Sequence, residues 1–434
     1  MRIGIDGYNL SIPDGTGVAN FGASLATVLR GAGHQVEGVF GLHAGGRMAT
    51  REMLFFDRLG HGHRLTGPAL SRKIAITTAL WHLPRRLVEV PITKAVDKRS
   101  FGFRLPGFSA LWTSPLLFEA AWARFAYLGL ATTVTVPNPP QVMHWTYPLP
   151  IRMAGAKNIY TIHDLVPMKL PQATLDDKIY YRKLIARCIA MADHVSTVSE
   201  ASRDDILQLF PHTDPGKVTN TYQSSPIPGE VLASTPAADA EFVRHTFGLK
   251  DKGFYLFYGA VDPKKNISRI VDGYLSSQSN LPLVIVSSRS WGMDQETRLL
   301  GADGRVYGRQ LGKRLVQLQY LPRATLFRLI RSAKAVVFPS LYEGFGLPVL
   351  EAMQLGTPAI TSNTSSLPEV AGDASLMVDP YQSLQIAAAI RRLEDEPGLC
   401  DNLAAAGLVH AQKFTDANFA ARLAGIYAKL GVGG

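Results

Sequence analysis

Two carboxylates, Glu343 and Glu351, lie eight residues apart on either side of the turn Gly344–Pro348. Glycine lets a backbone approach a ligand closely, and proline is tolerated in the first turn of a helix. The turn therefore predicts a helix that begins near Gly346, with unpaired N–H groups that can bind a phosphate. The two side chains can then contact one ligand from different sides, a sugar and a ribose flanking a diphosphate. The alternative is that Glu343 caps the helix and Glu351 is a solvated surface residue.

The segments around this turn have the pattern of a parallel α/β unit. Ala335–Phe338 is apolar and predicts a buried strand before the turn, and Gly356–Pro358 ends the helix after it. Ala359–Thr361 predicts the next strand, and a polar loop leads from it to a further helix. From Phe338 to Pro380 the sequence resembles the retaining glycosyltransferases of family four, whose motif is a glutamate, seven residues and a second glutamate within E-G-F-G-L-P-x-x-E-A-M.

The resemblance implies the GT-B fold, an α/β architecture of two Rossmann-like, doubly wound parallel-sheet domains that face a cleft. Residues 1–225 would bind the acceptor and residues 226–416 the nucleotide-sugar donor, while the final helix, residues 417–430, would pack back on the first domain. Glu343 would hold hydroxyl groups of the donor sugar, and Glu351 would hold the ribose. Retention by front-face attack is likewise what the resemblance implies. No residue of the sequence is a convincing nucleophile.

Two lysines follow a predicted strand in the loop Gly259–Asn266. Taken alone, Lys264 and Lys265 are typical of solvated residues in a turn. The loop is similar to the family's phosphate-binding loop, and Lys265 matches its lysine, which would meet the leaving diphosphate as a compact positive charge. Some members have an arginine directly after the glycine. Ala260 stands there, so that second cation is missing or is supplied from elsewhere.

His163 follows a predicted strand, at the carboxyl end where open α/β sheets bind ligands. A lone histidine is usually structural, but the His-Asp pair here is similar to the family's catalytic-site histidine, which contacts the donor sugar. Gly15 and Gly17 lie in the loop between the first predicted strand and the first predicted helix. Taken alone, the loop is typical of an ordinary strand-to-helix connection, but in the family a glycine-containing loop at this place closes over the donor. Leu321 falls where relatives hold the nucleotide base. The predicted site thus comprises catalytic Glu343, His163 and Lys265, and donor-binding Glu351, Gly344, Phe345, Gly346, Leu347, Lys264, Gly15, Gly17 and Leu321.

No Asp-x-Asp triplet occurs in the sequence. Glycosyltransferases of the metal-dependent GT-A class use such a pair to hold a cation against the diphosphate, so we expect neither a metal nor another cofactor. A lysine and a helix dipole would stabilise the negative charge instead. The turn Ser199–Ser202 predicts a helix cap rather than a binding site.

These features predict an enzyme that transfers a hexose from a nucleotide diphosphate sugar to a glycan or lipid-linked acceptor. The loop Thr361–Glu369 looks most like that of bacterial mannosyltransferases of polysaccharide and O-antigen assembly. GDP-mannose is therefore the first donor that we predict, with UDP-glucose and other donors left open. A GT-B-like protein that binds nucleotide sugars or glycans without turnover is the alternative from a different functional class.

Length and composition are those of a globular protein of two domains. The 434 residues predict domains of about 200 residues each. The sequence holds no uncharged apolar run of about 18 residues or more, which a membrane-spanning helix requires. Arg2–Asp6 predicts a strand directly after Met1, so we expect no cleavable signal peptide. Cys188 and Cys400 lie in apolar helical patterns, which favours buried thiols in a reducing cytoplasm.

The formal net charge of +10 is concentrated in one segment. Gly45–Arg124 holds 13 Lys and Arg against five Asp and Glu, an excess of eight. This local excess argues against a uniformly basic protein that binds nucleic acid. The segment also contains Trp81, Trp112 and Trp122. Two interpretations stay open: an elaborated acceptor domain whose aromatic residues are core, or a surface that binds anionic lipid headgroups on the inner face of the cytoplasmic membrane.

Strands and helices alternate in both halves of the sequence, which predicts the two parallel sheets that would position these residues. In the first half the predicted strands are Arg2–Asp6, Gln35–Phe40, Asn158–Ile162 and His194–Val198, and the predicted helices are Asn20–Gly31 and Lys178–Met191. In the second half the predicted strands are Tyr255–Tyr258, Leu283–Val286, Val316–Tyr320 and Ala335–Pro339. The helices there are Ile267–Ser276, Ala324–Ser332, Ser383–Glu394, Asp401–Gln412 and Ala417–Leu430. The turn-rich interval Pro211–Pro236 predicts the linker.

Overall fold

The computed structural model describes residues 1–12, 17–61, 85–98, 101–287, 314–318 and 321–432. Gly15, Trp81 and Tyr320 lie outside the described residues. The strands are β1 (Arg2–Asp6), β2 (Gln35–Phe40), β3 (Arg85–Arg86), β4 (Val88–Val90), β5 (Ala110–Thr113), β6 (Thr132–Thr135), β7 (Val142–Trp145), β8 (Ile151–Met153), β9 (Lys157–Ile162), β10 (His194–Thr197), β11 (Val218–Asn220), β12 (Tyr255–Tyr258), β13 (Leu283–Val286), β14 (Leu315–Leu318), β15 (Ala335–Phe338), β16 (Ala359–Ser362) and β17 (Ser375–Val378).

The helices flank these strands and match the predicted ones closely. They are α1 (Gly17–Gly31), α2 (Met48–His61), α3 (Leu117–Leu128), α4 (Val166–Lys169), α5 (Lys178–Met191), α6 (Glu200–Leu209), α7 (Gly229–Leu232), α8 (Pro236–Phe247), α9 (Ile267–Ser277), α10 (Arg323–Ser332), α11 (Leu347–Gln354), α12 (Leu367–Ala371), α13 (Ser383–Asp395), α14 (Leu399–His410) and α15 (Asp416–Lys429). Among the described residues, no helix combines the length and apolar character that crossing a bilayer requires.

The first large sheet has the strand order β11-β10-β9-β7-β1-β2-β5-β4. Its neighbouring strands run parallel except for β4, which pairs antiparallel with β5. Central strands such as β1 and β7 are buried along nearly their whole length, as expected where helices cover both faces of a parallel sheet. β3, β6 and β8 form a small parallel sheet of their own, in the order β3-β6-β8.

The second large sheet has the order β14-β13-β12-β15-β16-β17 and is parallel throughout its described length. Numbered within this sheet alone, the order is 3-2-1-4-5-6, that of a Rossmann fold. The strand order reverses between β12 and β15, because successive strands are added on one side of β12 and then on the other. In such sheets, ligands bind in the crevice at the carboxyl ends of the strands at this switch point. The predicted fold class, with two Rossmann-like parallel-sheet domains, is confirmed.

The predicted linker is more structured than its proline content indicates. Residues 218–220 form β11 at the edge of the first sheet, in register with β10, and residues 229–232 form α7. The first sheet therefore continues to Asn220, well into the interval that we had predicted to be a linker. Proline fixes its own φ angle but does not prevent the flanking residues from pairing at a sheet edge.

The last helix, α15, packs on the first sheet domain. The Tyr427 hydroxyl lies 2.8 Å from Nε2 of His144, which belongs to β7. Phe419 packs beside Phe21 of α1, with ring centroids 5.9 Å apart. These contacts tie the carboxyl-terminal helix to the strand and helix that border the cleft.

The basic segment contributes to the core of the first domain. Phe55, Phe56 and Phe108 are buried, and Phe40 makes edge contacts with Phe55 and Phe108. The Trp112 indole donates to a carboxylate oxygen of Glu37 at 2.8 Å. Phe55, Phe56 and Phe108 thus behave as core residues, in line with the first of the two interpretations, whereas Phe103 is 43% exposed.

Candidate functional site

The two loops at the switch point of the second sheet bring Lys265 and Glu343 together. Lys265 lies in the loop after β12, and Glu343 lies in the loop after β15. The Lys265 ammonium donates to Oε1 of Glu343 at 2.6 Å and lies 4.8 Å from the centre of the Phe338 ring. Both side chains are mostly shielded from solvent. The sequence pattern gave no reason to expect that these two residues pair with each other.

Two serines hold the loop that carries Glu343. The Glu343 N–H donates to Oγ of Ser365 at 2.9 Å. The Ser366 hydroxyl lies 2.9 Å from the Glu343 carbonyl oxygen and 2.8 Å from that of Phe345. We did not predict a role for either serine beyond a polar loop. Their signal was the run of hydroxyl residues before α12, because such residues commonly bond to nearby backbone groups.

Helix α11 begins where the two-glycine turn predicts. Gly346 precedes it with φ of 110°, and a Cβ there would lie 2.5 Å from a Leu367 side-chain atom, so only glycine fits. Among the described residues, none accepts a hydrogen bond from the N–H of Phe345, Gly346 or Leu347. Pro348 has no N–H to satisfy. The start of α11 therefore presents donors and a positive dipole end to an anion.

Glu351 is buried and already has partners on both carboxylate oxygens. Ser225 donates to Oε1 at 2.8 Å, and the Tyr258 hydroxyl donates to Oε2 at 2.7 Å. Arg323 at the start of α10 lies 3.6 Å from Oε1 and also donates to Ser225 at 2.8 Å. Glu351 is not a solvated surface residue. A ribose that reaches it has to replace or share these bonds.

His163 is fixed in one tautomer by the backbone of the loop that follows β7. Its Nε2 lies 2.8 Å from the Thr146 carbonyl oxygen, which can only accept, so Nε2 carries the proton and Nδ1 is an acceptor. Burial lowers the pKa of His163, against smaller opposing effects of the Thr146 carbonyl and of Asp164. The ring meets Phe21 edge-on, with centroids 4.8 Å apart. A neutral imidazole is therefore held at the carboxyl end of β9.

Gly344 brings the two domains into direct contact at the site. A Cβ on Gly344 would lie 2.3 Å from the His163 carbonyl oxygen, a distance that no side chain tolerates. The Ser202 hydroxyl donates to that same carbonyl at 2.7 Å and lies 3.4 Å from the Gly344 carbonyl. Ser202 was predicted only as part of a cap. The cap itself is confirmed, since Ser199 Oγ accepts from the Ser202 N–H at 3.0 Å.

A second carboxylate crosses between the domains nearby. Glu369 of α12 accepts from the N–H groups of Glu200 and Ala201, both at 2.9 Å, at the start of α6. Burial raises the pKa of Glu369, while these two N–H groups oppose the rise. A carboxylate at a helix N-terminus interacts favourably with the dipole. The sequence places Glu369 at the end of a polar loop and gives no sign of this contact, because its partner lies in the other domain.

Lys264 faces the first domain, whereas Lys265 faces the second. The Lys264 ammonium lies 3.8 Å from Oδ2 of Asp164. Burial alone lowers the pKa of Lys264, but the carboxylates of Asp164, Glu343 and Asp262 outweigh it and hold the pKa above its ordinary value. The side chain therefore stays charged.

The remaining predicted residues make none of the contacts described above. Gly17 is exposed and begins α1, Leu321 is half-buried and packs against the core, and Gly15 lies outside the described residues. Within the described ranges, no cluster of three or more His, Cys, Asp or Glu side chains is placed to hold a metal ion. Metal independence stays a prediction.

Comparisons with known proteins agree with this arrangement. The profile of the family "Glycosyl transferases group 1" matches residues 239–409. The chain is 32% identical over 273 residues to O-antigen chain mannosyltransferase B of Escherichia coli, a match that covers 62% of this chain and 68% of that protein. It is 27% identical over 284 residues to serotype-specific mannosyltransferase WbdA of Escherichia coli, covering 64% of this chain but only 34% of WbdA.

Solved structures add a likeness of fold. Sucrose-phosphate synthase from Thermosynechococcus elongatus superposes with a TM-score of 0.65 at 19% identity, over 99% of each chain. The residues that match the family profile include all the strands from β12 to β17.

Proposed function

Because the chain belongs to the group 1 glycosyltransferases, we propose that it transfers mannose from GDP-mannose to a glycan or lipid-linked acceptor in the biosynthesis of a bacterial surface polysaccharide. The observation that carries the proposal is the pairing of Lys265 with Glu343, together with N–H groups at the start of α11 that bond to none of the described residues. This arrangement offers a cation and a helix dipole for a diphosphate, and a carboxylate for sugar hydroxyls. Both Escherichia coli relatives are mannosyltransferases, which supports mannose as the sugar.

In the proposed reaction the diphosphate binds across Lys265 and the first N–H groups of α11. The bond between the anomeric carbon and the diphosphate oxygen breaks, and its electron pair leaves with the diphosphate. The oxygen of an acceptor hydroxyl bonds to the anomeric carbon on the same face, and the hydroxyl proton passes to the departing diphosphate. The lysine and the dipole stabilise negative charge that develops as this bond breaks, which accelerates the step.

The carboxylates and the histidine position the donor in this proposal. Glu343 accepts hydrogen bonds from hydroxyls of the sugar, and His163 contacts the sugar from the first domain. Glu351 binds the ribose hydroxyls in place of Ser225, while Tyr258 keeps its bond to the other oxygen. Gly344, Phe345, Gly346 and Leu347 supply backbone approach to the phosphates, and Gly17 and Leu321 are proposed to contact the donor as well.

A panel of nucleotide sugars tests the donor. GDP-mannose should raise the melting temperature of the protein more than UDP-glucose or GDP alone, since a ligand that binds only the folded state stabilises it by RT ln(1 + [L]/Kd). Release of GDP should accompany mannosyl transfer. A larger shift with UDP-glucose would favour the alternative donor. Stabilisation without any transfer or hydrolysis would favour the non-catalytic alternative.

Chelation tests the proposed absence of a metal. Activity should be the same with excess EDTA and with added Mg²⁺, because a lysine and a helix dipole neutralise the diphosphate. Loss of activity in EDTA that Mg²⁺ restores would contradict the metal-free mechanism.

We also propose that Gly45–Arg124 docks on an anionic membrane, which would place a cytoplasmic enzyme next to a lipid-linked acceptor. The support is that α2 exposes Met48 and Met53, each to 57%, and that the exposed Arg47 and Arg58 are close to them in sequence. Exposed apolar side chains beside cations are typical of segments that lie on lipid headgroups. Other cations of Gly45–Arg124 have structural roles, as Lys98 does in its ion pair with Glu52.

A further inference from the structure

A cavity of about 190 Å³ lies between the two domains next to His163. Its walls come from the loops after β7 and β9, the segment that leads into α5, and the loop after β12. The diphosphate cradle is not part of it, since neither Lys265 nor the first residues of α11 line the cavity in the described part of the chain. The cavity therefore lies beside the proposed donor site and meets it at His163 and Lys264.

The lining of this cavity is acidic and rich in hydroxyl groups. Asp164, Asp176 and Asp262 line it against a single described lysine, Lys264, whose charge Asp164 already offsets. The side chains around the cavity carry a net negative charge, so a phosphate that enters it would be repelled. Placing like charges next to each other generally costs several kcal/mol. A neutral ligand with many hydroxyl groups meets carboxylate acceptors instead. Charge alone thus favours a sugar over a phosphate.

Two side chains are placed to recognise such a ligand. The Tyr147 ring stacks on Tyr8 at 5.8 Å, and its hydroxyl donates to none of the described residues. Burial raises the pKa of Tyr147 to about 12, with smaller contributions from Asp176 and Asp164, so the hydroxyl remains a donor. Thr174 donates to Oδ2 of Asp176 at 2.6 Å, and it is the sole described partner of that carboxylate. The bond from Thr174 fixes the orientation of the Asp176 carboxylate, whose remaining lone pairs can accept hydrogen bonds from a ligand.

The size and apolar walls of the cavity fit one sugar ring. Pockets for drug-sized ligands enclose about 300–1,000 Å³, which is larger than this cavity. Val166, Pro148 and Pro167 supply apolar surface on which the C–H face of a ring can pack. His163 lines this cavity and is also proposed to contact the donor sugar, so a hydroxyl of a bound ring can approach the donor sugar there.

We propose that this cavity binds the terminal, uncharged sugar ring of the acceptor, with Tyr147 and Asp176 as specificity-determining residues, and that it excludes acceptors whose reacting end is a phosphate. The proposal rests on the function proposed above and narrows its acceptor from a glycan or lipid-linked group to a sugar-terminated chain.

The test measures transfer to two probes that share one aglycon, octyl α-mannoside and octyl phosphate, together with equilibrium binding of octyl α-mannoside to the protein without donor. We expect transfer to the mannoside only. Tyr147→Phe with Asp176→Asn should raise the KM for octyl α-mannoside by about tenfold or more, while the KM for the nucleotide sugar changes by less than about twofold. The binding titration should weaken to the same extent as this KM.

Matched controls are Tyr127→Phe and Asp272→Asn, which make the same chemical changes at exposed positions outside the cavity. Both should leave the two KM values unchanged. Equal KM for the mannoside in the cavity variant and the wild type, a larger effect on the donor KM, or faster transfer to octyl phosphate would each overturn the assignment. If no nucleotide sugar is turned over, the proposed function fails, whereas the binding titration still decides whether the cavity recognises a sugar.

Discussion

The pairing of Lys265 with Glu343 determines what the loss of either side chain should do. Lys265→Ala removes the cation proposed to meet the leaving diphosphate, so we expect kcat/KM to fall by about 10²–10³-fold, the range for removing one preorganised donor to developing charge. Steady-state kinetics on the purified variant measure the loss. Lys250→Ala, at an exposed lysine of the same domain, is the matched control and should keep full activity. A Lys265→Ala enzyme with wild-type kinetics would remove this residue from the mechanism.

Glu351 is expected to act on donor binding rather than on the chemical step. Glu351→Gln preserves the shape but replaces one acceptor oxygen with an NH2 donor, so the side chain can accept from only one of Ser225 and Tyr258. It also weakens a contact with ribose hydroxyls, because a neutral amide accepts less strongly than a carboxylate. The KM for the donor should therefore rise about tenfold with kcat nearly unchanged. Glu241→Gln on the exposed face of α8 is the control. A fall in kcat at constant donor KM would contradict the proposed role.

The sequence predicted some of these residues and could not predict others. Lys265 and Glu343 each lie in a motif whose residue types and spacing have a chemical reason, so both were expected before the fold was known. Ser225 and Arg323 contact Glu351 from segments more than 20 residues from it in the chain, and no local pattern links them. Contacts of that kind depend on how the elements pack in three dimensions, which periodicity and turn chemistry do not specify.

Among the elements, the loop before α11 limits how closely the domains can approach. Gly344→Ala places a methyl group 2.3 Å from the His163 carbonyl oxygen, so the observed contact cannot form without a backbone shift. We expect kcat to fall by about 10²-fold, since a displacement of about 1 Å in positioned groups has that effect. Donor binding should be weakened less. Small-angle scattering of the variant should show a larger radius of gyration than that of the wild type.

The control for this substitution is Gly425→Ala in α15, where an added Cβ meets nothing within 4 Å. Alanine in an exposed helix is favoured over glycine, so this variant should be as active as the wild type and slightly more stable. Wild-type kcat in Gly344→Ala would show that the loop has room that the close contact does not suggest.

The attachment of α15 depends on a histidine that burial keeps neutral. Burial lowers the pKa of His144 to about 3, and Nε2 bonds to the Tyr427 hydroxyl. Because the folded pKa lies below the unfolded value of about 6.5, the stabilisation is present above that value and is lost as pH falls. Between about pH 7.5 and about pH 5 the linkage removes about 2 kcal/mol from the free energy of unfolding.

Denaturant titrations at the two pH values measure this effect. His144→Gln keeps a polar partner for Tyr427 but does not titrate, so its loss between the two pH values should be about 2 kcal/mol smaller than that of the wild type. His212→Gln, at an exposed histidine, should follow the wild type. Identical pH dependence in all three proteins would mean that His144 charges freely in the folded state.

On the scale of the whole molecule, the alternation of strands and helices was sufficient to predict two parallel sheets. The boundary between the two domains was the least accurate part of that prediction. The interval Pro211–Pro236 looked like a linker because its prolines and turns resemble one, yet β11 pairs there with β10. A three-residue edge strand buries too little surface to leave a periodic signal. The cleft, the acidic cavity and the contact of Glu369 with α6 all lie between domains, so they were outside the reach of any local pattern.

The excess of positive charge in Gly45–Arg124 leads to a prediction about the whole protein and a membrane. If the α2 surface docks on lipid, the protein should bind vesicles that contain phosphatidylglycerol more tightly than vesicles of phosphatidylcholine alone. Binding should weaken as salt is added, since exposed charges are screened over about 8 Å at physiological ionic strength. Arg85 and Lys98 are poor positions for a test, because Arg85 donates to the Leu116 carbonyl and Lys98 pairs with Glu52.

Arg47 and Arg58 are exposed and suit the experiment better. Reversing both to Glu should weaken binding to anionic vesicles by about tenfold or more, because each cation near such a surface contributes about 1 kcal/mol. GDP-mannose binding should not change, since α2 and the proposed donor site belong to different domains. Arg182→Glu with Lys183→Glu on α5 makes the same change of charge elsewhere on the first domain and should affect vesicle binding less. Equal losses in both variants, or no preference for anionic lipid in the wild type, would leave Gly45–Arg124 as an elaboration of the acceptor-domain core.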